Sequence, residues 1–220
     1  MKGPVTIMAD TPKLSRERQV GALVATRVRA LHLGASSDHP GLSARARADL
    51  AQLRQLDAAD PAADVRSWQL TLGSVSPELQ GKTDAPNAAE RAVHSALVLY
   101  AIHAQSAKGP VHAPRVRLGQ AVREFADKQK PDDPTDAAIV ARFHACAQAA
   151  SYGQLIRHLR GLITLLRGAE LPLDYELLAQ DLYRAQKPDG MRDVRLRWGR
   201  SFHYVKTNTD TQESETADVR

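Results

Sequence analysis

Apolar residues recur at intervals of three and four along almost the whole chain, and no stretch alternates strictly between hairpin turns. The pattern predicts an all-α fold. Thr11 and Pro12 supply a cap and first position for a helix whose Val20, Leu23, Val24, Val28 and Leu31 form one stripe, closed by Gly34. A second helix is expected over about 43–56 with Ala46, Leu50 and Leu53 inward, and Asp60 with Pro61 opens a short third segment running through Trp68. Breakers fill 73–86. Asn87, followed three residues on by Glu90, has the form of a capping box and starts a helix with Val93, Leu97 and Tyr100 on one side.

Residues 108–116, punctuated by Gly109, Pro110 and Pro114, read as an exposed basic loop, after which Arg117, Leu118, Val122 and Phe125 resume helical spacing. Asp133 and Pro134 cap a further helix with Ile139, Phe143 and Cys146 in register, and a long helix follows through Gly168. Leu171-Pro172-Leu173-Asp174 turns the chain into a helix over 175–186. A last one, over 189–204, aligns Met191, Val194, Trp198 and Phe202.

At 220 residues, with 43% hydrophobic and 25% charged content, the chain has the makeup of a globular protein and not of a disordered or collagen-like one. Cys146 stands alone, so there is no intrachain disulfide and no cysteine-built zinc site, which suits a reducing compartment. No apolar run approaches a membrane span, and the first ten residues lack a signal-peptide layout. The expected location is the cytoplasm, without membrane contact.

Charge changes the picture more. Thirty Lys and Arg face 25 Asp and Glu, for a net +5. The tail 207–220 holds four acids (Asp210, Glu213, Glu215, Asp218) and one base, so the rest carries 29 bases against 21 acids, or +8. Twenty-two of the bases are arginine, whose planar fork grips phosphate in a bidentate way. The stretch 151–168 is the most informative. Placed at about 100° per residue, Leu155, Leu159, Leu162 and Leu166 fall in one arc, while Arg157, Arg160, Thr164 and Arg167 lie within roughly 80° of one another on the far side. Three guanidinium groups then follow about 15 Å of helix with no acid between them. A solvated face normally mixes signs; this one suits an anionic partner. Further arginines, among them Arg27, Arg54 on the same face as Arg47, Arg115 with Arg117, Arg142, and Arg192 to Arg200, would make a phosphate-backbone track if they converge. Aromatic content is only 5%, with no surface-style clustering that argues for base stacking.

The chemistry of an enzyme is missing from the motifs. His94 and His103 are nine apart, no histidine pair has metal-ligand helical spacing, and His144 and Cys146 point to different sides of a helix. There is no glycine-rich phosphate loop, HExxH, GxSxG or dense carboxylate cluster. No catalytic residue, metal or cofactor is therefore assigned. A sequence-specific helical DNA-binding regulator and a helical protein-interaction module remain as other readings of a small, basic, all-α chain.

Certain segments stand in a telling order: Leu50-Ala51-Gln52-Leu53-Arg54, Trp68, the helix with His94 and Ala101-Ile102-His103, and Leu118-Gly119-Gln120-Ala121. Arg142-Phe143, His158-Leu159-Arg160, Leu171-Pro172-Leu173-Asp174-Tyr175 and Arg197-Trp198-Gly199-Arg200 complete the set. Their order is similar to that of the CasB family, the small subunit of the type I-E CRISPR Cascade complex. The resemblance implies two packed helical bundles, 1–130 and 131–206, ahead of an acidic tail 207–220. It also implies a non-catalytic role in which two copies lie along a crRNA-guided antiviral complex with other Cascade subunits. There the family contacts crRNA and target DNA backbones and helps hold the R-loop. The contacts it implies match Arg54, Arg142, Arg157 and Arg160, and more softly Arg117 and Arg200; Arg27 and Arg167 join them from the charge pattern. Gln120 stands where relatives often place a base, and Ser201 where an acid is expected.

Overall fold

A computed structural model describes residues 14–128 and 134–203, and the backbone alone of 134–137. The Thr11–Pro12 and Asp133 caps and the acidic tail lie outside the described residues, among which every regular element is helical.

Helix α1 (Arg16–Ala35) is capped by Ser15, whose hydroxyl accepts from the Arg18 amide, and buries Val20, Val24, Val28 and Leu31. Helix α2 (Pro40–Leu53) starts three residues earlier than expected. Pro40 has the fixed φ of a first helical position and the His39 ring accepts from the Leu42 amide, so the helix begins there. The third segment is corrected more. Asp57, Asp60 and Asp64 each accept the amide two residues on, at 2.8–2.9 Å, so 57–66 is a chain of side-chain-closed turns. Only α3 (Ser67–Leu70) and a 3₁₀ turn at Leu72–Ser74 are helical.

Helix α4 (Ala88–His103) has the full capping box: Asn87 Oδ1 accepts from the Ala89 and Glu90 amides, and Glu90 Oε2 accepts from the Asn87 amide at 2.7 Å. From Ala92 to His103 every residue is buried, which makes it the central helix. The buried polar groups on it serve packing. His94 bonds Thr71 Oγ1 at 3.1 Å and the Asp57 carbonyl at 2.7 Å, the Ser95 hydroxyl donates to the Ala58 carbonyl, and His103 Nδ1 meets Tyr175 Oη at 2.9 Å.

The 108–116 loop is less free than its punctuation suggests. It is stitched to 171–174 by backbone bonds from Leu173 to Val111, Ala113 to Leu173 and Asp174 to Val116, and Asp174 Oδ2 accepts the Arg115 amide. That last bond holds Arg115 at a φ of 71°. Helices α5 (Leu118–Lys128), α6 (Pro134–Ala147), α7 (Tyr152–Gly168), α8 (Tyr175–Ala185) and α9 (Gly190–His203) complete the order. The core is continuous: α8 packs on both α1 and α4, α7 on α4 and α6, and α9 on α5. Cys146 is fully buried, as its register predicts, and burial pushes its thiol up to about 12.

Two buried groups give stability an opposed response to pH. Burial pushes Asp181 up to about 6, against the pull of Arg197 at 3.2 Å and of the Trp198 indole N–H at 2.8 Å. Its contribution is therefore full below the ordinary carboxylate value of 3.8 and is lost as pH rises through about 6. Burial instead depresses His103 to about 4, so its contribution is full above the ordinary 6.5 and is lost as pH falls through about 4. Replacing Asp181→Asn keeps an acceptor for Trp198 and removes one of the two slopes. Relative to the native chain, the variant should gain about 3 kcal/mol between pH 4 and 7, from roughly two units of displacement. Urea melts at pH 4, 5.5 and 7 check this; a constant difference between the two proteins would contradict it.

Candidate nucleic-acid interface

The leucine arc of α7 does what its spacing predicts. Leu155, Leu159, Leu162 and Leu166 are buried, joined by Ile156 and Ile163, and they turn Arg157, Arg160 and Thr164 outward. Arg142 joins this face from α6. A Cβ on Gly161 would lie 2.7 Å from Arg142 Nη1, so the guanidinium rests on the bare backbone of α7 one turn beyond Arg157. Arg142, Arg157 and Arg160 are all exposed; the Arg157 guanidinium lies back toward Gly153, so it and Arg142 sit at different heights along α7.

Arg167 departs from the arc. It reaches back and donates to the Ile102 carbonyl at 3.4 Å and to Gln105 Oε1 at 2.6 Å, tying α7 to the end of α4. It borders a hollow of about 300 Å³ with Lys108 and His103. Across the 105–109 loop, Arg54 lines a second hollow of about 540 Å³ with Arg47, His32 and Lys108. Arg117 and Arg200 come together elsewhere, with Arg115 and Arg197, around about 380 Å³ between α5 and α9; Gln120 and Ser201 lie in the same wall. Arg27 borders a fourth hollow with Arg45 and Arg66, and its Nε is buried without a partner.

No single concavity takes all eight predicted arginines. They share one trait: none has a carboxylate within 4 Å among the described residues. Arg66, Arg184 and Arg197 do have one, in Asp64, Asp193, and Glu17 with Asp181. An arginine left without an acid keeps its charge and donors for an anionic partner. Sequence spacing alone did not place Lys108, His32 or Arg45 beside the predicted residues, because they converge only through loop and helix packing. Among the described residues no helix is long and apolar enough to cross a membrane, and no group of three His, Cys, Asp or Glu could hold a metal ion.

Among the described residues of this small helical protein, the eight predicted arginines thus stand without an acid partner. Comparison with known proteins gives the family. The profile of the CRISPR-associated protein Cse2 matches residues 49–203, and the chain belongs to this family. It is 36% identical to CasB from Thermobifida fusca, covering 87% of this chain and 100% of that one with a TM-score of 0.66. A chain of a solved CRISPR RNA-guided surveillance complex shares the fold at 21% identity, covering 91% and 97% of the two chains with a TM-score of 0.60. No curated protein sequence matches the chain.

Proposed function

We propose that this chain is a non-catalytic subunit of a type I-E crRNA-guided surveillance complex, working beside other Cascade subunits and a second copy of itself. It grips guide RNA and target DNA backbones through its arginines and steadies the R-loop. The observation that carries this reading is the set of eight predicted arginines with no carboxylate partner among the described residues. Strand exchange into an RNA–DNA hybrid is nearly balanced, so a few added phosphate contacts are enough to tip it, and the subunit needs no chemistry of its own. The two bundles, 1–130 and 131–206, are proposed as lobes over one core, supported by the packing of α8 on α1 and α4.

The test is a binding titration of the purified chain against RNA–DNA hybrids of unrelated sequence over 50–300 mM salt. Affinities for different sequences should agree within severalfold, and log K should fall with log salt at about 0.9 per phosphate contact, for a total near 3 or steeper. A preference of 10³ or more for one sequence would make the chain a base-reading regulator. Affinity indifferent to salt would make it a protein-binding module.

A further inference from the structure

Among the described residues Trp68 is the large aromatic side chain that stands exposed. The other tryptophan, Trp198, is 1% exposed; Trp68 is 58% exposed. Its backbone is well anchored. The residues beside it, Ser67 and Thr71, are fully buried, with Ser67 Oγ donating to the Pro61 carbonyl at 2.6 Å and Thr71 Oγ1 bonding both the Ser67 carbonyl and His94. The Thr71 bond ties α3 to the central helix, so the backbone that carries the outward indole is anchored.

The indole faces cations. Trp68 lines the hollow of about 670 Å³ between α1, α2 and α3 together with Arg27, Arg45, Arg66, Asp49 and Gln52. Arg66 is matched by Asp64. Among the described residues Arg27 and Arg45 have no acid partner within 4 Å, and Arg27 carries the buried Nε without a bond. Asp49 repels phosphate, yet it and Gln52 offer hydrogen bonds to the edge of a base. Apart from Val65 and Trp68, the other large exposed apolar side chains (Leu14, Leu33, Leu42 and Leu196) lie outside the hollow, so no continuous greasy patch marks it as a protein-docking face.

We propose that this hollow holds an unpaired nucleobase stacked on Trp68, with the flanking phosphates on Arg27 and Arg45. The proposal rests on the polynucleotide reading and adds to it a preference for single strands, since a base inside a duplex cannot present its face to an indole. An aromatic platform beside a cationic track is the recurring arrangement for sequence-tolerant single-strand binding. The sequence offers no cluster of aromatics that argues for stacking; the proposed site needs only one exposed tryptophan.

The experiment follows indole emission of the full chain, in which Trp198 is sequestered, during titration with three 12-residue probes: a mixed-sequence single strand, an abasic strand and a duplex. The single strand should quench emission and the abasic strand should not. Trp68→Ala should weaken single-strand binding about 5- to 100-fold, the range for losing one stacked base. It should also leave abasic and duplex affinities within twofold and the salt slope unchanged. Trp68→Phe, which still stacks, should restore most of the affinity. Equal weakening toward all three probes would overturn the proposal, as would unchanged affinity with no quenching, and so would a variant that binds every probe normally but loses another subunit of the complex. Duplex and abasic binding report separately on the arginine surfaces, so loss of those in the native chain would sink the broader reading and not this one alone.

Discussion

Arg157→Glu combined with Arg160→Glu lowers affinity for a polynucleotide by about 30- to 150-fold near 0.1 M salt and leaves the fold intact. Both side chains are exposed on α7 and neither bonds another described residue, so their replacement disturbs no packing. Each exchange removes one phosphate contact and sets a carboxylate against the same phosphate. At roughly 1 kcal/mol or less for each exposed charge contact, two losses and two repulsions come to about 2–3 kcal/mol. The salt slope should fall by about two units, since two fewer counterions are released. The melting temperature should move by no more than about 2 °C, because both positions are exposed and surface exchanges of this kind seldom change stability by more than about 0.5 kcal/mol. Arg167→Glu gives the contrast. That arginine donates to Ile102 and Gln105, so its reversal should cost stability first, with a smaller change in slope. Fluorescence anisotropy against salt, paired with thermal melts, reads both quantities. An unchanged affinity and slope in the double variant would remove this face of α7 from the interface.

What the sequence made legible follows a physical divide. Helices α1, α4, α7, α8 and α9 were readable because each carries a local apolar stripe or a capping residue within four positions of its start. The segment 57–75 was not, because three aspartates, each closing its own turn, outcompete a helix that Pro61 could otherwise have opened. The loop 108–116 looked free because its bonds go to residues some sixty positions away. The site divides in the same way. A helical projection gives the direction in which Arg157 and Arg160 leave α7, and that direction is right. It cannot give the path of a long side chain, so Arg167, set on the same arc, bends instead to the carbonyls ending α4. Nor can it bring Arg142 onto Gly161, which only the packing of α6 against α7 does. Trp68 was noted as part of a family likeness, but its exposure depends on Ser67 and Thr71 being pulled into the core, which no periodicity announces.

Gly119→Ala should lower the melting temperature by about 2–12 °C and weaken polynucleotide binding with it. Glycine inside a helix costs about 1 kcal/mol relative to alanine, so on propensity alone this exchange in α5 would stabilise. The geometry decides otherwise. A Cβ at 119 would stand 2.3 Å from the Trp198 carbonyl oxygen, 2.5 Å from Ser201 Oγ and 2.7 Å from the Phe202 amide nitrogen. Two of these are backbone atoms of α9 and cannot swing aside, so α5 and α9 must separate. Separation loosens the packing of Trp198 and of Phe202, whose ring stacks on Phe143 at 5.5 Å. Overpacking of this kind costs up to about 3 kcal/mol, and in a chain of this size each kilocalorie lowers the melting temperature by about 2–4 °C. The close approach also explains the Leu118-Gly119-Gln120-Ala121 segment in functional terms. It fixes the spacing of Arg117, two residues before, from Arg200 on α9, and so the width of the cationic hollow between them. Gly109→Ala, at a position with open space around it, should leave both stability and affinity unchanged. Measured side by side, equal melting temperatures for the two variants would mean that α5 and α9 do not approach as closely as the structure shows. A cooler Gly119→Ala protein with full affinity would mean that the Arg117–Arg200 hollow does not hold phosphate.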